Sequence, residues 1–237
     1  MKPRALLLHG GPGIPDYLEP VAAELAPVFE CERYAQEPHL DIPSFVEEAL
    51  DHLRAPSWLV GHSWGGRLAL EVAAAAPEQL LGLILIGSLG AVGDGGWKDA
   101  GPRLTARLTA EERRQLSSAA AGEQLRIIWP GYFADPVLAP PYPGWIVDTE
   151  TVDAIYAWAQ EHAPGNELAD AVRSFEQPAL LLHGTFDHIP LAAVEATAAL
   201  LPNAELRVLD GLGHFPWLER PGSIYDEVVD FIPARSS

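Results

Sequence analysis

Cysteine is nearly missing from this chain of 237 residues, which has only Cys31. An intramolecular disulfide is therefore excluded. Cys31 lies in the apolar stretch 28–34, where a buried and inert thiol is expected. Lysine is almost as scarce, with only Lys2 and Lys98, and the formal net charge is −18. Nucleic acid and anionic membranes both demand clustered cations, so neither is an expected partner. A soluble acidic surface accounts for the charge, with attraction of cationic substrates or life in high salt as functional alternatives. Long apolar runs are also absent, since none approaches the roughly 20 residues that span a bilayer. The start, Met-Lys-Pro-Arg followed by four apolar residues, is too short for a signal-peptide core. The expectation is a cytoplasmic protein.

What is present is alternation. Short apolar runs at 5–9, 28–34, 58–62, 83–87, 179–183 and 205–209 read as strands. Most are continuously apolar, as when helices cover both faces of a parallel sheet. Helical segments at 17–25, 44–53, 65–75, 192–201 and 223–231 lie between them, punctuated by Pro77, Pro202 and Pro221. This order predicts an α/β, doubly wound sheet of about six strands. Two of the strands open with the same hexamer, Ala-Leu-Leu-Leu-His-Gly, at 5–10 and 179–184. No longer repeat extends it. A metal site made of His9 and His183 lacks supporting carboxylate or cysteine spacing.

The alternation breaks over residues 91–175. Glycines at 93–96 lead into a helical stretch at 105–119, where Thr109 and Glu112 have capping-box spacing. Aromatic, proline-rich stretches follow at 129–133 and 140–145, and then a helix at 151–162 with Val152, Ile155, Tyr156 and Ala159 on one face. A helical insertion of this kind predicts a cap, with residues 1–90 and 176–237 forming the core. Its aromatics Trp129, Tyr132, Phe133 and Trp145 are candidates for an apolar substrate pocket, or for the cap's own core.

Residues 61–65, Gly-His-Ser-Trp-Gly, follow an apolar strand and open a helix. A serine at so sharp a turn needs small neighbours, and Gly61 and Gly65 supply them. The helix N-terminus beyond Trp64 favours developing negative charge. A serine hydroxyl needs a base to become a nucleophile. His214 follows the last strand, and Asp187 follows the strand before it. The order Ser63, Asp187, His214 is that of one known triad arrangement. Asp210 is the competing acid, and His188 adjoins Asp187. His62, which flanks the serine, is expected to support rather than to catalyse.

Over nearly the whole chain these residues resemble the α/β-hydrolase family. The resemblance implies that the loop His9-Gly10-Gly11-Pro12-Gly13 lends a backbone N–H to an oxyanion hole, with Gly11 and Trp64 as donors. It also implies two more strands ahead of the first one, which are not expected in this sequence. An edge left open in that way can invite a dimer, so monomer and homodimer are both expected. The loop and the Ser-Trp pair look like the prolyl iminopeptidase branch, whose cap glutamates bind an ammonium; Glu123, Glu150, Glu161 and Glu167 are available for that role. His62 departs from that branch and is common among small esterases. The expected function is therefore hydrolysis of a small carboxylic ester or amide through an acyl-enzyme. The alternatives are an aminopeptidase and, from another class, a binding protein or receptor on a hydrolase scaffold. No metal and no organic cofactor is implied.

Overall fold

A computed structural model describes residues 2–162 and 166–232. Six strands form one sheet: β1 (Arg4–Leu8), β2 (Glu30–Arg33), β3 (Ser57–His62), β4 (Leu80–Ile86), β5 (Ala179–Gly184) and β6 (Ala204–Leu209). Their spatial order is β2-β1-β3-β4-β5-β6, and every pairing is parallel. The four inner strands are buried almost throughout, whereas β2 and β6 are half-open edges. Helices α1 (Glu19–Leu25) and α11 (Ser223–Phe231) cover one face. The other face is covered by α2 (Ile42–His52), α3 (Trp64–Ala75) and α9 (Leu191–Ala198).

Because both faces are covered, alternate residues of one strand enter two different cores. Leu6, Leu59, Leu83 and Leu181 pack toward α2 and α3, while Leu7, Val60, Ile84 and Leu180 pack toward α1 and α11. Cys31 is a correction to the expectation of burial. It sits on the edge strand β2, half-buried, and partial burial pushes its thiol up to about 11.

Between β4 and β5 the described residues form no strand, and the α-helices there are α4 (Trp97–Ala106), α5 (Ala110–Ser118), α6 (Ala121–Ile128), α7 (Thr149–His162) and α8 (Glu167–Ala171). One helix expected at 105–119 is thus two, broken before Thr109. Thr109 caps α5 with both halves of a capping box, its side chain accepting from the Glu112 N–H. On α7, Ile155 is buried and Tyr156 is largely exposed. The short helix α10 (Pro216–Glu219) follows the loop that holds His214.

Candidate active site

The site assembles at the C-terminal ends of the strands, the edge where open parallel sheets bind ligands. Ser63 stands between β3 and α3 at φ 58° and ψ −121°, a conformation that side chains other than glycine rarely adopt. Such backbone costs on the order of 1–3 kcal/mol and survives only where its surroundings impose it. Here they do. The Ser63 N–H donates to the Ile86 carbonyl (3.0 Å), and its own carbonyl accepts from the Leu89 N–H (3.3 Å). The flanking glycines are required by space: a Cβ on Gly61 would meet Gly65 O at 2.3 Å, and one on Gly65 would meet Leu8 O at 2.0 Å.

Asp187 follows β5 and is buried with His214. His214 Nδ1 lies 2.9 Å from Asp187 Oδ2 and 3.0 Å from Oδ1. The Ile189 N–H also donates to Oδ1 (2.9 Å). Burial alone would raise the pKa of this carboxyl, but the His214 charge and the contacts from His188 and His214 hold it well below the usual carboxylate range. Asp187 is therefore an anion, fit to hold an imidazole by its Nδ1–H and to stabilise that ring once charged. Asp210, the competing acid, is exposed, and its carbonyl accepts from Arg220 (2.8 Å).

Three contacts hold His214 in place. Its N–H donates to the Tyr132 carbonyl (2.7 Å), and the Tyr132 ring stacks on the imidazole at 5.4 Å and 27°. Its carbonyl accepts from His62 Nε2 (2.8 Å). Since Nε2 faces a carbonyl it carries the proton, so His62 Nδ1 accepts from the Tyr17 hydroxyl at 2.5 Å. Tyr17 Oη in turn accepts from the Gly10 N–H (2.8 Å). One chain of bonds thus runs from the first strand's end to the His214 loop. Burial, followed by repulsion from His214, pushes the His62 pKa well below that of a free imidazole, which keeps the ring neutral as the chain requires.

Ser63 and His214 line one cavity of about 440 Å³ together with Gly11, Trp64, Tyr132 and His188. Gly11 has φ +57° and leaves its N–H without an acceptor among the described residues, as does Trp64 at the start of α3. Two backbone donors beside a serine make an arrangement that can bind a developing oxyanion. Gly13, two residues on, leaves room for Asp148: a Cβ there would meet the Asp148 carbonyl at 2.4 Å, and the Asp148 N–H donates to Gly13 O (2.7 Å).

Of the four aromatics singled out in the sequence, Tyr132 and Trp145 line the cavity. Trp129 and Phe133 do not: both are buried beneath Phe215, with ring centroids 5.0 and 5.8 Å from it. They close the core instead. Glu123, Glu150, Glu161 and Glu167 are all exposed, and none is among the cavity's lining residues. His9 and His183 do not face a common point. His9 Nε2 accepts from the Gln36 N–H, while His183 Nε2 donates to the Ile189 carbonyl.

Reading by motif missed three supports. His188 lies with Nδ1 3.1 Å from Asp187 Oδ1. Glu219 accepts from the Gly213 N–H (2.7 Å) and the Ala134 N–H (2.8 Å), clamping the His214 loop to the helical segment. Arg107 donates to the Phe186 carbonyl (2.5 Å) beside Asp187 and to the Ala134 carbonyl (2.9 Å). Neither Glu219 nor Arg107 belongs to a local pattern, whereas adjacency to Asp187 was a signal for His188. Asp187, His188 and His214 could each offer one ligand atom to a metal, within 4.8 Å of one another. The Asp187 oxygens and both Nδ1 atoms already meet each other, which accounts for the cluster.

The alpha/beta hydrolase fold family matches residues 31–221. An uncharacterized hydrolase, YugF, of Bacillus subtilis (strain 168) is 26% identical over 93% of this chain and 82% of its own length. A probable proline iminopeptidase of Leptolyngbya boryana is 26% identical over 88% of this chain and 80% of its own. Among solved structures, VinJ superposes with a TM-score of 0.73 at 21% identity, covering 98% of this chain and 90% of that one. No helix among the described residues is long and apolar enough to cross a membrane. A six-stranded parallel sheet, a strained serine between β3 and α3, and a family match over residues 31–221 converge: the chain belongs to the alpha/beta hydrolase fold family and is a hydrolase.

Proposed function

We propose that the protein hydrolyses a small carboxylic ester, with small amides as the secondary substrate class, through a serine acyl-enzyme. The observation that carries this reading is the cavity that joins Ser63 to His214 while Asp187 holds His214 from behind. Ser63 Oγ attacks the carbonyl carbon as His214 takes the hydroxyl proton. The tetrahedral oxyanion sits against the N–H groups of Gly11 and Trp64. Collapse expels the alcohol, which leaves with the proton from His214, and the acyl group stays on Ser63. Water then attacks the acyl carbon, giving its proton to His214, and the acid departs as Ser63 recovers a proton. No step calls on a metal or an organic cofactor. Residues 91–175 act as a cap over a core formed by 1–90 and 176–237, and the partner is a small molecule, with the enzyme a monomer or homodimer.

An aminopeptidase is the second reading, favoured by the similarity to a probable proline iminopeptidase. It needs an anion to bind the substrate ammonium, yet no carboxylate is among the residues lining the cavity, and the one ionic side chain other than histidine is Lys98. That polarity favours neutral esters. The direct test is turnover of a short-chain p-nitrophenyl ester beside proline p-nitroanilide, with a fluorophosphonate probe to label Ser63. Ester turnover should exceed anilide turnover, and Ser63→Ala should lose both labelling and at least about 10⁴-fold in kcat. Undiminished turnover by Ser63→Ala would sink the reading. No labelling and no turnover of either substrate would favour a binding protein on a hydrolase scaffold.

A further inference from the structure

Asp187 meets two imidazoles in the cavity, and the mechanism above uses only one of them. His188 Nδ1 lies 3.1 Å from Asp187 Oδ1, the oxygen that His214 Nδ1 also meets at 3.0 Å. The contact falls short of a hydrogen bond, and Nδ1 has no other partner among the described residues. That nitrogen is nonetheless sealed from solvent, and an ionised carboxylate can only accept, so the ring's proton belongs on Nδ1. Burial, then repulsion from His214, lowers the His188 pKa to about 4, and the ring is neutral near pH 7. A neutral imidazole protonated at Nδ1 presents Nε2 as a lone-pair acceptor.

That acceptor is unclaimed. Among the described residues no group hydrogen-bonds His188 Nε2, and it is not one of the sealed polar atoms. The His188 side chain is only 9% exposed, and what is open lines the cavity shared with Ser63 and His214. The ring is fixed there: its centroid is 4.4 Å from that of His214 and 4.9 Å from that of Tyr132, both edge-on, and its carbonyl accepts from Arg103 Nε (3.1 Å). Its neighbours in the cavity wall include Leu89, Leu104 and Ile189. A lone acceptor in an apolar wall is costly to leave unpaired, and a complementary donor on the substrate is the group that discriminates most strongly at such a place.

We propose that His188 is a specificity-determining residue whose Nε2 accepts a hydrogen bond from the substrate, so that the preferred esters carry a hydroxyl or N–H donor close to the scissile carbonyl. The inference rests on the ester-hydrolase reading above. The donor's carrier, acyl part or alcohol part, is what separate arms of the test distinguish.

The experiment compares kcat/KM on matched esters. The acyl arm uses p-nitrophenyl 2-hydroxybutanoate and 3-hydroxybutanoate against their O-methyl ethers and plain butanoate. The alcohol arm uses 2-hydroxyethyl butanoate against 2-methoxyethyl butanoate. In one arm the wild-type enzyme should favour the hydroxyl over the ether by roughly tenfold, the scale of one buried hydrogen bond. His188→Leu should bring that ratio to within about twofold, and His188→Gln, whose Oε1 can accept, should keep part of it. A purely structural role would slow every ester alike and leave the ratios intact, which overturns the proposal. So would a wild-type enzyme with no hydroxyl preference in either arm. Turnover of plain butanoate reports on the ester-hydrolase reading by itself, and its failure together with all other esters would remove both.

Discussion

The two copies of Ala-Leu-Leu-Leu-His-Gly share a sequence and do not share an orientation. In β1, Ala5 and Leu7 face α1 and α11, whereas in β5 the corresponding Ala179 and Leu181 face α2 and α3. Strand registers make this explicit: Leu6 is level with Leu59, Leu59 with Leu83, and Leu83 with Ala179. The second copy is shifted by one residue, which turns every side chain to the other face. A duplicated unit would keep its faces. The hexamers are two solutions to burial on both sides, and their terminal His-Gly pairs serve different loops. His9 Nε2 is met by Gln36, from the loop after β2. His183 Nε2 holds the Ile189 carbonyl, and its Nδ1 lies 3.9 Å from Asp187 Oδ2. One histidine braces the loop that carries Gly11, and the other braces the loop that carries Asp187.

The comparison breaks most sharply at the residues that follow the two copies. Asp187→Asn preserves shape but inverts the hydrogen bond that selects the His214 tautomer, and kcat should fall about 10⁴-fold. Gly11→Ala keeps its N–H. Its new Cβ would meet the movable Ile14 Cδ1 at 2.9 Å, and the backbone at φ +57° would be strained. Its loss in kcat should be nearer tenfold, because a misplaced donor costs less than a lost one. Steady-state kinetics on one activated ester measures both, and equal losses would show that the loops are not specialised in this way.

The terminal glycines should divide differently. A Cβ on Gly184 would strike two backbone carbonyls, Leu212 O at 2.3 Å and Gly213 O at 2.4 Å. Gly184→Ala should therefore cost stability, about 3 kcal/mol in chemical denaturation. A Cβ on Gly10 meets the Tyr17 hydroxyl at 2.3 Å and Ser63 Cβ at 2.8 Å, both side-chain atoms of the site. Gly10→Ala should lose more activity than stability, and the reverse ranking would contradict the assignment of the two loops.

Acid should act on both loops, with more of its groups on the second. Burial lowers His9 beside the first loop, His62 on β3, and His183 and His188 at the second loop below the ordinary histidine value, and Asp187 is held below the ordinary carboxylate value. In each case the unfolded chain binds the proton first. Stability is thus full above about pH 6.5 and declines as pH falls. His188, with a folded value of about 4, accounts for roughly 2 kcal/mol of that decline by pH 5. Denaturation midpoints at pH 7.5 and 5 should diverge for the wild type and diverge less for His188→Gln.

How much of this was legible follows from what a linear pattern can carry. The four inner strands were, because burial on both faces writes continuous apolar runs such as 83–86 and 179–182, whereas the half-open edges β2 and β6 are mixed in composition and were placed by the alternation around them. The Ser63 turn was legible because steric need for Gly61 and Gly65 is local. The helical segment was read less well. Gly101 and Pro102 look like breakers yet lie inside α4, and α6 opens at Ala120 with no side-chain cap to announce it. Trp129 and Phe133 resemble pocket residues by composition, and composition does not say which way a ring faces. The supports Tyr17, Arg107 and Glu219 act across 45, 79 and 85 residues, distances over which no spacing rule speaks.

The smallest effect should come from Gln36, which has no counterpart beside His183. Its N–H donates to His9 Nε2 (3.2 Å), its Nε2 donates to the His9 carbonyl (2.9 Å), and its Oε1 accepts from Trp64 Nε1 (3.2 Å). One side chain thereby ties the end of β1 to the residue that follows Ser63, joining the strand that leads to Gly11 and the helix start that carries the Trp64 N–H. Gln36→Leu removes the two side-chain bonds and keeps the backbone one. Each bond is worth about 1 kcal/mol, and the indole N–H regains water through the half-open position, so stability should drop by only about 1 kcal/mol. Because both proposed oxyanion donors lie beside that tie, kcat should fall severalfold while KM stays level, the split expected of an interaction that matters only as charge develops. A rise in KM with kcat unchanged would place Gln36 in substrate binding and would mean that the first loop holds its donors without help.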